Sequence, residues 1–345
     1  MILVLTPNPA LDVTYVLDEL RPGAENRVRA VRTAPGGKGV NAARVIARLG
    51  GEATVLGPLG GTGGEELRDL LAAVPDAGRI HQAWTPIAGA TRRTVAVVGQ
   101  DGATGLYEPG PALSPDERDA VVGELLERAG APDVEAVVIS GSLPGGMDVE
   151  DLARLVERLR ALGVRTVVDT SGPGMLAAAR AGADVIKPNR DEAIAATGAD
   201  DPVAACRALL DLGARAVVCS LGADGMLLAE RSEGSEGSEG SGGADSTSGA
   251  PRLSRAGAGR EIRGNATGAG DSVVAELALA LAEGRSLRDA LPRAVATSAS
   301  AVARPVAGEI DEDLRAELLP AIEVRAVDAP GGTDTPDASP ETQES

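Results

Sequence analysis

The sequence predicts an α/β protein built on a mainly parallel sheet with helices on both faces. Three observations point there. Short β-rich runs alternate with stretches of helical apolar spacing along most of the 345 residues, which is the rhythm of βαβ units. The hydrophobic content of 43% is enough for a large core, but with no Phe, one Trp and two Tyr that core must be filled by Leu, Val, Ile and Ala, which suits helices packed on a parallel sheet. Two stretches break the rhythm and read as a small separate β element.

The elements can be justified in order. Ile2 to Thr6 is an apolar run ended by Pro7, a first strand. It has no basic residues before it, so it does not read as a signal peptide, and no later stretch reads as a membrane span; the expected compartment is the cytoplasm. Further strands are expected at Ala53 to Gly57, Ala136 to Ser140, Thr166 to Asp169, Asp184 to Lys187 and Ala216 to Ser220. Helical spacing appears between them at Ala42 to Leu49, Asp151 to Leu162 and Val203 to Leu212. The interruptions are Asp12 to Thr33, which carries no convincing helix, and Thr91 to Tyr107, which reads as strand, turn at Gly99 to Gly102, strand. Together they would form a β lid of residues 12–33 and 91–107 on an α/β domain of residues 1–11, 34–90 and 108–325.

Residues 232–250 are a Gly/Ser/Glu run that cannot bury enough apolar surface to offset chain entropy, so a disordered insertion is expected. Residues 326–345 mix Pro, Gly, Thr and acids and read as a disordered tail. About half of the formal net charge of -18 is local to 230–250 and 323–345. That acidity excludes nonspecific binding to nucleic acid or anionic membrane, which needs clustered positive charge. Cys206 and Cys219 with a single His and no CxxC exclude a disulfide framework and a His/Cys metal site.

Four segments carry chemistry. Thr267-Gly-Ala-Gly-Asp271 precedes a run of strong helix formers that ends at Gly284. Glycines at a helix entry let backbone N–H groups converge on an anion, and a phosphoryl group in transit is a suitable guest. Asp271 then stands where it can accept a proton from an attacking hydroxyl, with the helix dipole expected to lower its pKa. An Asp in the first turn after a Gly loop is equally an ordinary helix start. Pro35-Gly-Gly-Lys-Gly-Val-Asn41 opens a second helix; it is not a Walker A loop, because Gly39 follows Lys38. Its glycines Gly36 and Gly37 admit a ligand close to the backbone, and Lys38 and Asn41 offer a charge and an amide. Lys187-Pro-Asn-Arg-Asp-Glu192 runs from a strand into a helix, placing Asn189 and Glu192 one turn apart at the strand ends where ligands gather in open α/β sheets. A carboxylate there suits Mg²⁺ held mostly through water, though an acid in a first helical turn is also common. Ser220-Leu-Gly-Ala-Asp-Gly225 joins two strands; it could pass under a nucleotide or be a simple tight turn.

Taken in order, TPNPALD, GGKGVN, TRR, EPGP, KPNRDE, SLGADG and TGAGD resemble the PfkB, or ribokinase-like, carbohydrate kinase family over nearly all of residues 1–322. The resemblance implies a three-layer sandwich with a mainly parallel central sheet and a small β-sheet lid. It implies ATP-dependent phosphorylation of a ketohexose monophosphate, fructose 1-phosphate first and tagatose 6-phosphate or fructose 6-phosphate as alternatives. Carried over residue by residue, it gives Asp12 to the sugar hydroxyls, and Gly36, Gly37, Lys38 and Asn41 to the sugar-phosphate pocket. Arg27 and Arg92 would grip the phosphate already on the substrate. Lys187, Asn189, Ser220, Gly222 and Gly225 would line ATP, and Glu192 would serve Mg²⁺. Gly268, Ala269 and Gly270 would form the anion hole beside Asp271. A monovalent cation and a homodimer joined through the lids are further family properties. No residue of Ser298 to Gly308, where relatives place cation or adenine contacts, can be assigned.

Two other classes fit less well. A dinucleotide-dependent oxidoreductase needs a Gly-rich first βα turn, and this one reads PNPALD. A sugar-phosphate-binding protein without catalysis would have no use for Asp271 and Glu192 together.

Overall fold

The computed structural model describes residues 1–100, 102–231 and 250–327. The chain enters through β1 (Ile2–Leu5), then makes β2 (Ala10–Val16) and β3 (Ala30–Gly36) before α1 (Lys38–Arg48), β4 (Ala53–Leu59), α2 (Gly61–Ala72) and β5 (Ile80–Pro86). It leaves the main body again for β6 (Arg92–Gly99) and β7 (Gly102–Tyr107). The alternation then resumes with α3 (Pro115–Ala129), β8 (Ala136–Ser140), α4 (Val149–Ala161), β9 (Arg165–Asp169), α5 (Pro173–Arg180), β10 (Val185–Ile186), α6 (Arg190–Thr197), α7 (Pro202–Leu212) and β11 (Ala216–Ser220). The chain closes with β12 (Met226–Glu230), β13 (Arg252–Ala256), α8 (Ala269–Ala282), α9 (Leu287–Val302), α10 (Glu312–Leu318) and β14 (Arg325–Ala326).

Ten strands form the large sheet in the order β14-β13-β12-β11-β10-β9-β8-β1-β4-β5. From β5 to β11 all neighbours are parallel; β12, β13 and β14 are antiparallel. Successive side chains point to opposite faces, and both faces are covered. Ile2 and Val4 belong to the core on the face covered by α1, α8 and α9, and Leu3 and Leu5 to the core on the face covered by α3, α4, α5 and α7. This is the expected three-layer sandwich. Among the described residues no helix is long and apolar enough to cross a membrane.

The small sheet has the order β3-β2-β6-β7. Its strands run beyond the expected lid on one side. The β2–β3 pairing extends from Val16↔Ala30 to Ala10↔Gly36, so Ala10, Leu11 and residues 34–36 belong to lid strands, and the glycine loop begins as the end of β3. Gly99 and Gly102, the expected turn boundaries, face each other at the ends of β6 and β7. The strand expected over Asp184 to Lys187 keeps only Val185 and Ile186; at its start the Asp184 carboxylate accepts from the Thr166 N–H at 2.8 Å. Ala326, the first residue of the expected tail, lies instead in β14 opposite Ser254. The insertion expected at 232–250, apart from Ala250, and the remainder of the tail from residue 328 lie outside the described residues.

Helix α8 is buried along nearly its whole length, including Glu276 at 1% exposure. A buried carboxylate needs partners. Glu276 accepts from Thr297 of α9 at 2.6 Å and pairs with Arg315 of α10 at 2.7 Å, so one charge network ties α8 to both following helices.

Candidate active site

The C-terminal ends of the parallel strands and the entries to α1, α6 and α8 meet at one edge of the sheet. Gly268 caps α8 at φ 86°, a left-handed conformation that favours glycine. A Cβ there would also come within 2.8 Å of Ala307, so the turn lies tightly against the loop between α9 and α10. Asp271 sits in the first turn of α8 and is buried; its Oδ2 accepts from Asn41 Nδ2 at 2.9 Å. Lys38 and Asn41 reach the site because α1 starts at Lys38, capped by Gly37.

Asp169, at the end of β9 and 1% exposed, anchors the cluster. Lys38 Nζ lies 3.3 Å and Lys187 Nζ 3.6 Å from its Oδ1, and Ser140 donates to its Oδ2 at 3.4 Å. A Cβ on Gly270 would lie 3.3 Å from Lys187 Nζ, so the Lys187 ammonium borders the glycine turn. The result is a row from Asn41 through Asp271 and Lys187 to Asp169 and Lys38, assembled from four elements.

The electrostatics reverse one expectation. The helix dipole was expected to depress Asp271. Burial and the neighbouring Asp169 instead push its pKa up to about 6, against the opposing pull of the Asn41 hydrogen bond, Lys38 and Lys187. Desolvation of a carboxylate at this depth outweighs the partial charge of a helix end. For Lys38, burial works to lower the pKa, but Asp169, Glu192 and Asp271 together raise it, so the ammonium stays charged.

The lid supplies a second set of groups. Asp12, in β2, accepts from Thr94 of β6. Burial raises its pKa, opposed by the Thr94 bond, Arg92 and Arg44. A side chain at Gly36 would overlap the Asp12 carboxylate, which explains the glycine by close approach. Arg92 opens β6 and donates from Nη1 to the Glu108 carbonyl at 2.9 Å, while its buried Nε has no partner. Such a guanidinium has donors free for an anionic ligand.

Asn189 and Glu192 cap α6 reciprocally: Glu192 N–H donates to Asn189 Oδ1 at 2.8 Å, and Asn189 N–H donates to Glu192 Oε2 at 2.9 Å. One oxygen of each side chain therefore serves the helix, while the Glu192 charge still acts on Lys38. Ser220 ends β11 and bridges Asn189; Gly222 and Gly225 bound the short turn to β12. Arg27 is not brought to the cluster. It lies exposed between β2 and β3, and among the described residues no hydrogen bond or ion pair joins it to the site.

Sequence reasoning passed over Asp169 and Arg44. The first had a usable signal, an acid ending a predicted parallel strand where ligands gather. Arg44 follows Lys38 and Asn41 at three-residue spacing on one face of α1.

Residues 9–313 match the family model described as pfkB family carbohydrate kinase. The 1-phosphofructokinase of Haloferax volcanii is 36% identical over 320 residues, covering 91% of this chain and 94% of its own length. The 1-phosphofructokinase of Xanthomonas campestris is 34% identical over 292 residues, covering 81% and 83%. Among solved structures, phosphofructokinase-2 from Escherichia coli in complex with potassium superposes with a TM-score of 0.79 at 30% identity, over 93% of this chain and 98% of that one.

Proposed function

Because this chain belongs to the pfkB family of carbohydrate kinases, we propose that it transfers the γ-phosphate of ATP to the free primary hydroxyl of fructose 1-phosphate, giving fructose 1,6-bisphosphate. The observation that carries this reading is the buried Asp271 at the glycine turn, held by Asn41 and flanked by two lysines. The hydroxyl lies against Asp271, which orients it and takes its proton as the O–P bond forms. The N–H groups of Gly268 and Gly270 serve the phosphoryl oxygens; the expected third donor, the Ala269 N–H, instead donates to the Ala266 carbonyl at 3.2 Å and holds the turn, while charge building on the oxygens is met by Lys38 and Lys187. ADP leaves as the bond to its oxygen breaks. A loose transition state needs little early deprotonation, so positioning accounts for most of the catalysis.

Substrate contacts divide by chemistry. Asp12, Gly36 and Gly37 take the sugar hydroxyls, with Lys38 and Asn41 beside the phosphoryl path. Arg92 takes the phosphate already present. Lys187, Asn189, Ser220, Gly222 and Gly225 line ATP. A divalent cation is compatible with the negative charge that Asp169, Glu192 and Asp271 bring to the neighbourhood of Lys38. Glu192 would hold the ion, mainly through water. The ion, when bound, neutralises polyphosphate charge. A monovalent cation completes the cofactor set, in keeping with the potassium complex of the Escherichia coli neighbour.

The chain pairs as a homodimer through its lids. Val31 at 60%, Leu106 at 58% and Tyr107 at 75% exposure put large apolar groups on the two outer lid strands. Arg27, on the same lid, contacts substrate only after lid closure or from that pairing.

The pH dependence tests the acid–base role. Asp271 must be ionised to accept a proton, so kcat at saturating substrate should fall below pH about 6, roughly tenfold per pH unit. An Asp at its ordinary pKa would keep full activity to about pH 4. A flat kcat between pH 5 and 7 would remove Asp271 as the proton acceptor.

A further inference from the structure

Arg44 has no place in the chemistry described so far, yet it is 7% exposed and charged. Such a residue needs strong partners to be worth burying. Its Nη1 donates to the Ala307 carbonyl at 2.7 Å, and Nη2 lies 3.8 Å from Glu309 Oε1. Gly308 between them sits so close that a Cβ would be 2.9 Å from Nη1. Ala307 in turn abuts Gly268, the cap of the catalytic helix. On the other side, the Arg44 charge acts on Asp12 of the lid. The guanidinium therefore holds the loop behind the glycine turn while its charge reaches Asp12 of the lid.

We propose that Arg44 is a positioning residue for phosphoryl transfer: it clamps the Ala307–Glu309 loop against Gly268 and so fixes the anion-hole turn ahead of Asp271. The inference rests on the kinase reading above. Gly268 has no side chain of its own to lock its position, and its left-handed turn is held from behind by Ala307. Ala307 is held by the Arg44 hydrogen bond. Loosening the clamp would let the N–H groups of the turn drift, and donors in an anion hole lose value with small displacements. Ground-state binding of the sugar phosphate, which uses Arg92 and Asp12, would change less.

The test compares Arg44→Met with the parent enzyme in two measurements. Steady-state kinetics with Mg-ATP and fructose 1-phosphate should show kcat reduced about tenfold or more, with the sugar-phosphate KM within about threefold. Hydrogen exchange on the ligand-free proteins should show amides of 264–270 and 303–311 exchanging at least about tenfold faster, with α4 unchanged. If Arg44→Met does not fold, Arg44→Lys carries the same test, since it keeps the charge but loses the planar fork; its kcat should fall in the same direction by a smaller factor. Unchanged kcat in a folded variant, a loss confined to KM, or unaltered exchange in both segments would overturn the proposal. If the parent turned over no ketohexose phosphate, the substrate assignment would be wrong, while the exchange data would still decide whether the clamp exists.

Discussion

Asp271→Asn is expected to lower kcat roughly 100- to 10,000-fold, the range that a positioned proton acceptor contributes, while binding of the sugar phosphate stays within a few-fold of the parent. The amide keeps the shape and can still accept from Asn41, so the geometry survives and only the proton acceptor is lost. Steady-state kinetics together with direct titration of fructose 1-phosphate separates the two effects. A variant with near-normal kcat would place the chemistry elsewhere. The same substitution should stabilise the fold. Burial makes Asp271 bind its proton more tightly in the folded chain than in the unfolded one. Stability therefore falls as pH rises from about 4 to about 6, and an amide escapes that loss. Thermal unfolding should show the variant ahead at pH 7 by an amount on the order of 3 kcal/mol, with the difference closing near pH 4. Activity and stability would thus move in opposite directions, as expected where a site holds a charge under strain.

The second large effect is at Arg92. Arg92→Ala should raise KM for the sugar phosphate by roughly 30-fold, about 2 kcal/mol of charge-assisted hydrogen bonding, and leave kcat within about threefold. The structural basis is a half-buried guanidinium whose Nη1 is fixed by Glu108 while its Nε lacks a partner. Burial lowers its pKa, and Asp12 and Glu108 oppose that shift, so the lid strand holds a cation that is incompletely neutralised before substrate arrives. An unchanged KM would move the phosphate subsite away from β6. Arg92→Lys should recover only part of the loss, because a single ammonium cannot make the paired contacts of a guanidinium.

Much of this site could be read from the sequence because its groups stand at marked places. Lys38, Asn41 and Asp271 each follow glycines at a helix entry, and Asn189 and Glu192 carry the spacing of a capping box. Glycine and cap signals are local, so sequence retains them. What escaped was set through space. Asp169 lies 102 positions before Asp271 in the chain, and its effect on the latter's proton affinity depends on packing. For that reason the helix-dipole argument gave the wrong direction for the pKa. In sequence Arg44 is one more basic residue on a helix; what distinguishes it is the α9–α10 loop packed against it. Arg27 shows the opposite case, a fork-shaped donor that sequence order placed at the phosphate and that the fold leaves exposed on the lid. The sheet itself was legible from the alternation of apolar runs and helical spacing. The strands at its two ends, β5, β13 and β14, were not; Ile80–Pro86, for one, carries His81, Gln82 and Trp84 in place of an uninterrupted apolar run.

The central claim is the identity of the acceptor. The two curated relatives bear one phosphofructokinase name and the solved neighbour another, and the Arg92 subsite by itself accepts any suitably placed phosphate. The most direct measurement is kcat/KM with Mg-ATP for fructose 1-phosphate, fructose 6-phosphate and tagatose 6-phosphate, with the products identified by phosphorus NMR. The account predicts the highest value for fructose 1-phosphate, with fructose 1,6-bisphosphate and ADP formed in equal amounts; a higher kcat/KM for either 6-phosphate, or no transfer to any of the three, would contradict it.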